Sequence, residues 1–232
     1  MTVVISAHIP LASVADRDKC MQYLSLVRDV ASETQENEPE CLAYCWARPA
    51  DGHTDVPAVV QGLEVYNTPE ALSVTHRSSA PYKNMRQVVA NTGLLSRPKG
   101  GVPTYVPAGT GFLSKEGTPE TVSSENWFIV VEYTARGQEN LNRLLEKEGF
   151  LSRDIESVGG VLTLVCFVPD SHEEEIPVTI FLRVSSKGDD LDAVKERLQR
   201  FEDEAASDGE VTQKRFWEGQ GFGFFRKRSY ID

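Results

Sequence analysis

Apolar positions along the chain switch between alternation and three-and-four spacing, and the switches mark out the elements. Thr2 to Ile9 is β-branched and apolar and reads as a first strand. Cys20, Tyr23, Leu24, Val27, Val30 and Ala31 then recur at helical spacing, one buried stripe of a helix that Ser13 or Asp16 can cap. The polar run Glu33 to Glu38, before Pro39, ends that helix. Leu42, Tyr44 and Trp46 alternate with smaller residues, the pattern of a half-buried strand. Residues 49–57 carry Pro49, Asp51-Gly52 and Pro57 and read as loop. Val59 to Tyr66 is a third strand, and Thr68 with Pro69 opens a second helix as cap and first helical residue. A short helix is expected from about Pro81 to Thr92. Ser96 to Ser124 is rich in Gly, Pro, Ser and Thr, with short apolar pieces at Thr104–Val106 and near Phe112, so a terminal strand followed by a linker is expected.

The same succession then returns. Trp127 to Tyr133 reads as a strand, and Leu141, Leu144, Leu145, Leu151 and Ile155 as a helix bent or interrupted near Gly149. Val161–Val168 and Ile176–Val184 are strands, and Leu191, Val194, Leu198, Phe201 and Ala205 form the stripe of an amphipathic helix. Val211 to Tyr230 reads as one or two strands broken by Gly219 and Gly221. Pro49 and Pro169 stand 120 residues apart, as do Pro57 and Pro177, the fixed period of an internal repeat. Each half has the ferredoxin-like order β-α-β-β-α-β. The expected fold is therefore α+β: tandem ferredoxin-like modules forming an intrachain, pseudo-dimeric α+β barrel, with sheet packed on sheet. The expected boundaries are 1–115 for the first module, 116–125 for a linker and 126–232 for the second. The copies diverge in polar and aromatic residues. The first holds Tyr44, Trp46, Tyr66 and His76, whereas the second keeps the prolines and places Arg183, Val184 and Ser185 against Glu64, Val65 and Tyr66. The first half is expected to be active and the second mainly structural.

Composition narrows the partners. The chain is 40% hydrophobic and 25% charged, usual for a soluble globular protein. Its formal charge of −11 repels nucleic acid and anionic membrane, so neither is an expected partner. No apolar run is long enough for a bilayer, and the amino terminus reads as a strand and not a signal peptide; a cytoplasmic protein is expected. Cys41 and Cys45 share a predicted strand and lie roughly 13 Å apart, beyond disulfide reach. No Cys/His cluster has zinc-ligand spacing, so no metal is expected. The alternating glycines of Gly219–Gly223 precede neither a lysine of the phosphate-loop type nor a helix, which rejects a nucleotide site. Arg226-Lys227-Arg228 reads as a solvated strand end, and His53 and His172 fall in loops with no assigned role.

One segment carries a resemblance. Glu38, Pro39, Cys41, Leu42, Tyr44, Glu64, Tyr66, Glu70, Ala71, Leu72 and His76, with Ser79, Pro81 and Tyr82 as a looser match, resemble the antibiotic biosynthesis monooxygenase family of the dimeric α+β barrel superfamily. The match covers roughly the first hundred residues; the second half matches in layout only. Tyr66 stands where many relatives have Trp, and Tyr82 replaces a His. Haem-degrading relatives place an iron-ligating His where this chain runs from Lys83 to Val89 without one, which argues against haem.

The resemblance implies an oxygenase with no cofactor, metal or prosthetic group, using dioxygen and a small-molecule substrate. Triplet dioxygen does not react directly with a closed-shell molecule, so the substrate must first become an electron-rich anion. That chemistry asks for a base, a donor for the resulting oxyanion and a dry pocket. The candidate catalytic residues are His76 as base with Tyr66 and Tyr44 as donors. Trp46, Tyr82, Met85 and His8 are the candidate substrate contacts. The expected substrates are phenols, quinols or oxylipin acids such as jasmonate, in secondary metabolism. A cyclase, isomerase or decarboxylase on the same fold, and a non-catalytic binding protein, remain open alternatives. The expected assembly is a monomer with its pseudo-dimer inside the chain, or a homodimer.

Overall fold

A computed structural model describes residues 1–10, 17–50, 59–95, 103–170, 174–186 and 188–226. Ser13, Asp16, His53, His172, Lys227 and Arg228, and most of the loop at 49–57, lie outside the described residues. In chain order the elements are β1 (Val3–Pro10), α1 (Arg17–Asn37), β2 (Cys41–Pro49), β3 (Val59–Tyr66), a π-helical segment (Ala71–His76), α2 (Ala80–Thr92), β4 (Thr104–Phe112), β5 (Trp127–Arg136), α3 (Gln138–Glu156), β6 (Val161–Pro169), β7 (Glu175–Val184), α4 (Asp189–Ala205) and β8 (Gly209–Phe225).

The chain divides into two compact units, and neither is a continuous half. The first comprises Met1–Thr104, Glu120–Ser124 and Trp217–Arg226; the second includes Tyr105–Pro119 and Glu125–Phe216. Strand pairing explains the division. β4, which the sequence groups with the first half, pairs with β6, from Tyr105 opposite Pro169 to Phe112 opposite Leu164. The carboxyl-terminal part of β8 pairs with β2, from Trp217 opposite Pro49 to Phe225 opposite Ala43. Glu120–Ser124, read as linker, lies along this end of β8: Phe225 N–H donates to Glu120 O and Val122 N–H to Gly223 O.

In the first unit the strands run β1-β3-β2-β8, all antiparallel. The stripe Cys20, Tyr23, Leu24, Val27, Val30 and Ala31 of α1 is buried, as its spacing predicts. It packs on the sheet face carrying Val3, Ile5 and Ala7 of β1, Tyr44 and Trp46 of β2, and Val60 and Tyr66 of β3. Thr68 caps the chain after β3 by accepting the Ala71 N–H, and Ser79 caps α2 by accepting the Tyr82 N–H. Gly93 closes α2 in the left-handed region. In the second unit the strands run β8-β5-β7-β6-β4. Its core is lined by the predicted α4 stripe and by Leu141, Leu144, Leu151 and Ile155 of α3. α3 passes through Gly149 without the interruption that glycine suggests, because helix-to-sheet packing on both sides of it outweighs one residue's propensity. β8 is likewise one strand. It bulges where Gly223 pairs with Cys45 and Gly219 with Ala47, and positive φ at Gly221 and Gly223 supplies the extra residues. A side chain at Gly223 would also strike Tyr44 O, 2.5 Å from its Cβ.

The two β-hairpins share a register. Cys41 pairs with Tyr66, with an irregularity before Ala43; Val161 pairs with Val184, with an irregularity before Thr163. In this register Leu182, Arg183 and Val184 stand where the first hairpin has Glu64, Val65 and Tyr66, one residue from the sequence alignment of the copies. A one-residue change moves a side chain to the other face. Arg183 accordingly points away from the helix-facing row. It is buried, and donates to Asn126 Oδ1 (2.9 Å) and Pro119 O (3.2 Å).

Trp46 pairs with Gly62 in the first hairpin and Cys166 with Ile180 in the second, large against small in each but reversed. A Cβ at Gly62 would lie 2.8 Å from the Trp46 ring, which also meets the Tyr23 ring in a T-shaped contact, 5.4 Å between centroids. Gly62→Ala is therefore expected to destabilise the protein by about 1–3 kcal/mol. Urea denaturation should show a smaller loss when Trp46→Leu is already present; equal losses in both backgrounds would remove the clash as the cause.

Candidate functional site

The site lies between the helix-facing side of the first unit's sheet and the segments that cover it. β2 supplies Tyr44 and Trp46, and β3 supplies Glu64 and Tyr66, which share a face because side chains on a strand alternate. The π-helical segment supplies His76, and α2 supplies Tyr82 and Met85. Its wide turn, with Arg77 N–H reaching back to Leu72 O, ends at His76, which is only 1% exposed. π-Helical turns cost stability and recur at functional sites.

His76 is held on one edge and unpartnered on the other. Its Nδ1 lies 3.0 Å from Glu38 Oε2 and 3.3 Å from Thr34 Oγ1, and the Thr34 hydroxyl donates to Glu38 Oε1 (3.2 Å). A carboxylate at Nδ1 keeps the proton there, which leaves Nε2 as the lone-pair nitrogen of the neutral ring. Nε2 is buried and has no hydrogen-bond partner among the described residues. Around the ring stand Tyr82, Tyr66 and Tyr44, with ring centroids 5.0, 5.4 and 5.5 Å away. An imidazole oriented by a carboxylate, its far nitrogen unpartnered and its ring among tyrosines, is built to accept a proton.

A second acid–base pair borders the first. The Tyr66 hydroxyl donates to Glu64 Oε2 at 2.9 Å. Burial pushes the Glu64 carboxyl above the usual carboxylate value, an effect partly offset by His76, the Tyr66 hydrogen bond and Arg77. Burial, and then the Glu64 charge, push the phenols of Tyr66, Tyr44 and Tyr23 upward, so all three are proton donors at neutral pH. The Cys41 thiol is raised by the same two causes.

The structure thus gathers His76, Tyr44, Tyr66 and Tyr82 around one ring. Trp46 lies beside Tyr44, 6.4 Å between ring centroids, and Met85 is buried in the same core. His8 is elsewhere. It pairs with Gln61 on the face opposite Ala7 and Gly62, its Nδ1 is 3.4 Å from Gln61 Oε1, and its ring meets Trp217 edge-on. Glu38 and Thr34 were given no site role from the sequence, nor was Glu64, although Glu38 and Glu64 stand among the residues that carry the resemblance. A signal for the first two was present: Thr34 and Glu38 continue the α1 stripe beyond Ala31 at helical spacing, and both are buried. Arg226, read as a solvated strand end, instead donates to backbone carbonyls around Thr34, Gln35, Glu38 and Cys41.

Among the described residues no group of three or more His, Cys, Asp or Glu side chains could hold a metal ion, and no helix is long and apolar enough to cross a membrane.

No family model and no curated protein matches the chain. Its fold is similar to solved structures over nearly its full length. A candidate monooxygenase of Lactobacillus acidophilus superposes with a TM-score of 0.70 at 11% identity, covering 100% of this chain and 99% of the other. A candidate monooxygenase of Fusobacterium nucleatum gives 0.68 at 14% identity, covering 98% of each chain. An anthrone oxidase-like protein gives 0.61 at 10% identity, covering 98% of this chain and 94% of the other. The chain has the α+β fold of these monooxygenase-like proteins.

Proposed function

We propose that the protein is a cofactor-independent monooxygenase that oxidises a small, apolar phenol, quinol or oxylipin acid with dioxygen. The observation that carries this reading is the buried Nε2 of His76, unpartnered and backed through Nδ1 by Glu38. In the proposed reaction Nε2 takes a proton from an acidic O–H or C–H of the substrate. Glu38 stabilises the imidazolium that forms, and a tyrosine hydroxyl or the Trp46 indole N–H steadies the substrate anion. The anion passes one electron to dioxygen, the substrate radical and superoxide combine to a peroxide anion, and His76 Nε2 returns its proton to give the hydroperoxide and regenerate the base. Where the attacked carbon is a CH₂ group, that hydroperoxide loses water to give a carbonyl. One oxygen atom stays in the product, the other leaves as water, and the substrate supplies all four electrons, so no external reductant is needed.

The aromatic wall and the apolar core beneath it exclude water from the reactive anion. The likeness to proteins described as monooxygenases and anthrone oxidase-like supports the same reading at the level of fold.

The test is oxygen uptake by chelator-treated protein supplied with an anthrone, a naphthoquinol or jasmonate. The expected result is one dioxygen consumed per substrate turned over, with one labelled atom from ¹⁸O₂ in the product. Product formed without oxygen uptake would make the base that of an isomerase or cyclase. Saturable binding without product would make the protein a binding protein.

A further inference from the structure

The carboxyl-terminal end of α1 lacks what a helix end normally has. Its last turn holds no basic residue, while Glu33, Glu36, Glu38 and Glu40 crowd the negative pole of the helix. Its last carbonyls need donors from outside the helix. Thr34 O accepts the Glu38 N–H and Glu38 O the Cys41 N–H, and a residue almost two hundred positions away reaches these two carbonyls and Gln35 O as well. Arg226, immediately after β8, donates through Nε to Cys41 O at 2.8 Å. Through one terminal nitrogen it donates to Gln35 O at 2.8 Å, Glu38 O at 3.3 Å and Thr34 O at 3.5 Å. Its own N–H bonds Leu42 O, and its guanidinium lies over the Phe224 ring, 4.8 Å from the centroid. The fork is anchored at its base and stacked on a face, so its direction is set.

Two of the four carbonyls belong to Thr34 and Glu38, the residues whose side chains hold His76 Nδ1. We infer that Arg226 is a positioning residue for the His76–Glu38 pair: it fixes the backbone of the α1 end, and so holds the carboxylate that selects the proton position on His76. A lysine would not reproduce this. It offers one compact charge in place of a planar fork that reaches the Cys41 carbonyl and the helix end together. The inference rests on His76 being the working base, but what it says about geometry can be read without turnover.

The experiment compares wild type, Arg226→Gln and Arg226→Lys, each labelled with ¹⁵N-histidine. The His76 ring nitrogens are assigned by their loss in His76→Gln. Wild type should show a single Nδ1–H tautomer. Arg226→Gln should show a mixed or exchanging ring, and about a tenfold fall in kcat with KM within twofold. Arg226→Lys should lie between, and serves alone if the glutamine variant does not fold. A purely structural role would lower the melting temperature and leave the Nδ1–H signature intact, which would overturn the inference. So would an unchanged tautomer in whichever variant folds. A perturbed tautomer in a protein that oxidises nothing would keep Arg226 as the positioning residue and discard the oxygenase reading instead.

Discussion

Replacing His76 with glutamine is expected to lower kcat by about two to four orders of magnitude while changing KM little, because a positioned base acts in the transition state and not in substrate binding. Glutamine keeps an N–H that can reach Glu38 but removes the basic lone pair at Nε2. The loss would therefore report the base itself more than the packing of the aromatic wall. Glu38→Gln should follow with a smaller but still large loss. An amide can also accommodate a ring protonated on the wrong nitrogen, and Nε2 is then no longer free to accept. Thr34→Val should cost least, since the hydroxyl supports Glu38 and only approaches Nδ1. The ordering His76, Glu38, Thr34 is the discriminating result. A His76→Gln enzyme within tenfold of wild type would move the base elsewhere, with the buried Glu64 next to be examined.

Most of the fold was legible because apolar spacing survives in the chain as a direct trace of what each element packs against. The stripes of α1 and α4 are buried residue for residue as their periods predict. Strand partners were less legible. β4 pairs with β6, and the end of β8 with β2, although sequence proximity groups each with the other half. Nothing in a strand's own alternation says which edge it will join. At the site, aromatic residues stood out while the groups that orient them did not. Thr34 looks like an ordinary polar helix end until the stripe is extended through it, and Glu38 stands in the resemblance with no partner that its sequence position announces. Arg226 looks like an ordinary charged terminus, because its partners are carbonyls, which have no side-chain signature. The one-residue offset at Arg183 has the same origin: a β-bulge changes register without changing composition.

Glu148 makes the point in the second unit, and with a large expected effect. It occupies a stripe position of α3 between Leu144 and Leu151, is fully buried, and neither carboxyl oxygen has a hydrogen-bond partner among the described residues. The titratable groups coupled to it are Cys166 on β6 and Tyr133 on β5, with the Thr110 hydroxyl on β4 nearby; none brings a positive charge. Burial therefore pushes its carboxyl from 4.5 up to about 7. The native state keeps the proton that the unfolded chain gives up near 4.5. The resulting stabilisation is fully present below pH 4.5, declines as pH rises, and is gone above about 7. The span corresponds to about 3 kcal/mol. Glu148→Gln should remove this slope while leaving the other carboxyls that burial raises, Glu64 and the half-buried Glu132, to contribute equally in both proteins. Urea denaturation from pH 4.5 to 8 should then show wild type losing about 3 kcal/mol relative to Glu148→Gln, with most of the change between pH 5 and 7. Parallel curves would mean that the carboxyl finds a charge-stabilising partner in solution. The two helices differ here: the buried stripes Cys20, Tyr23, Val27, Val30 and Leu141, Leu144, Glu148, Leu151 run in step, so the same place on α1 is the buried, apolar Val27. The α1 stripe therefore carries no titratable group at the place where α3 carries this one.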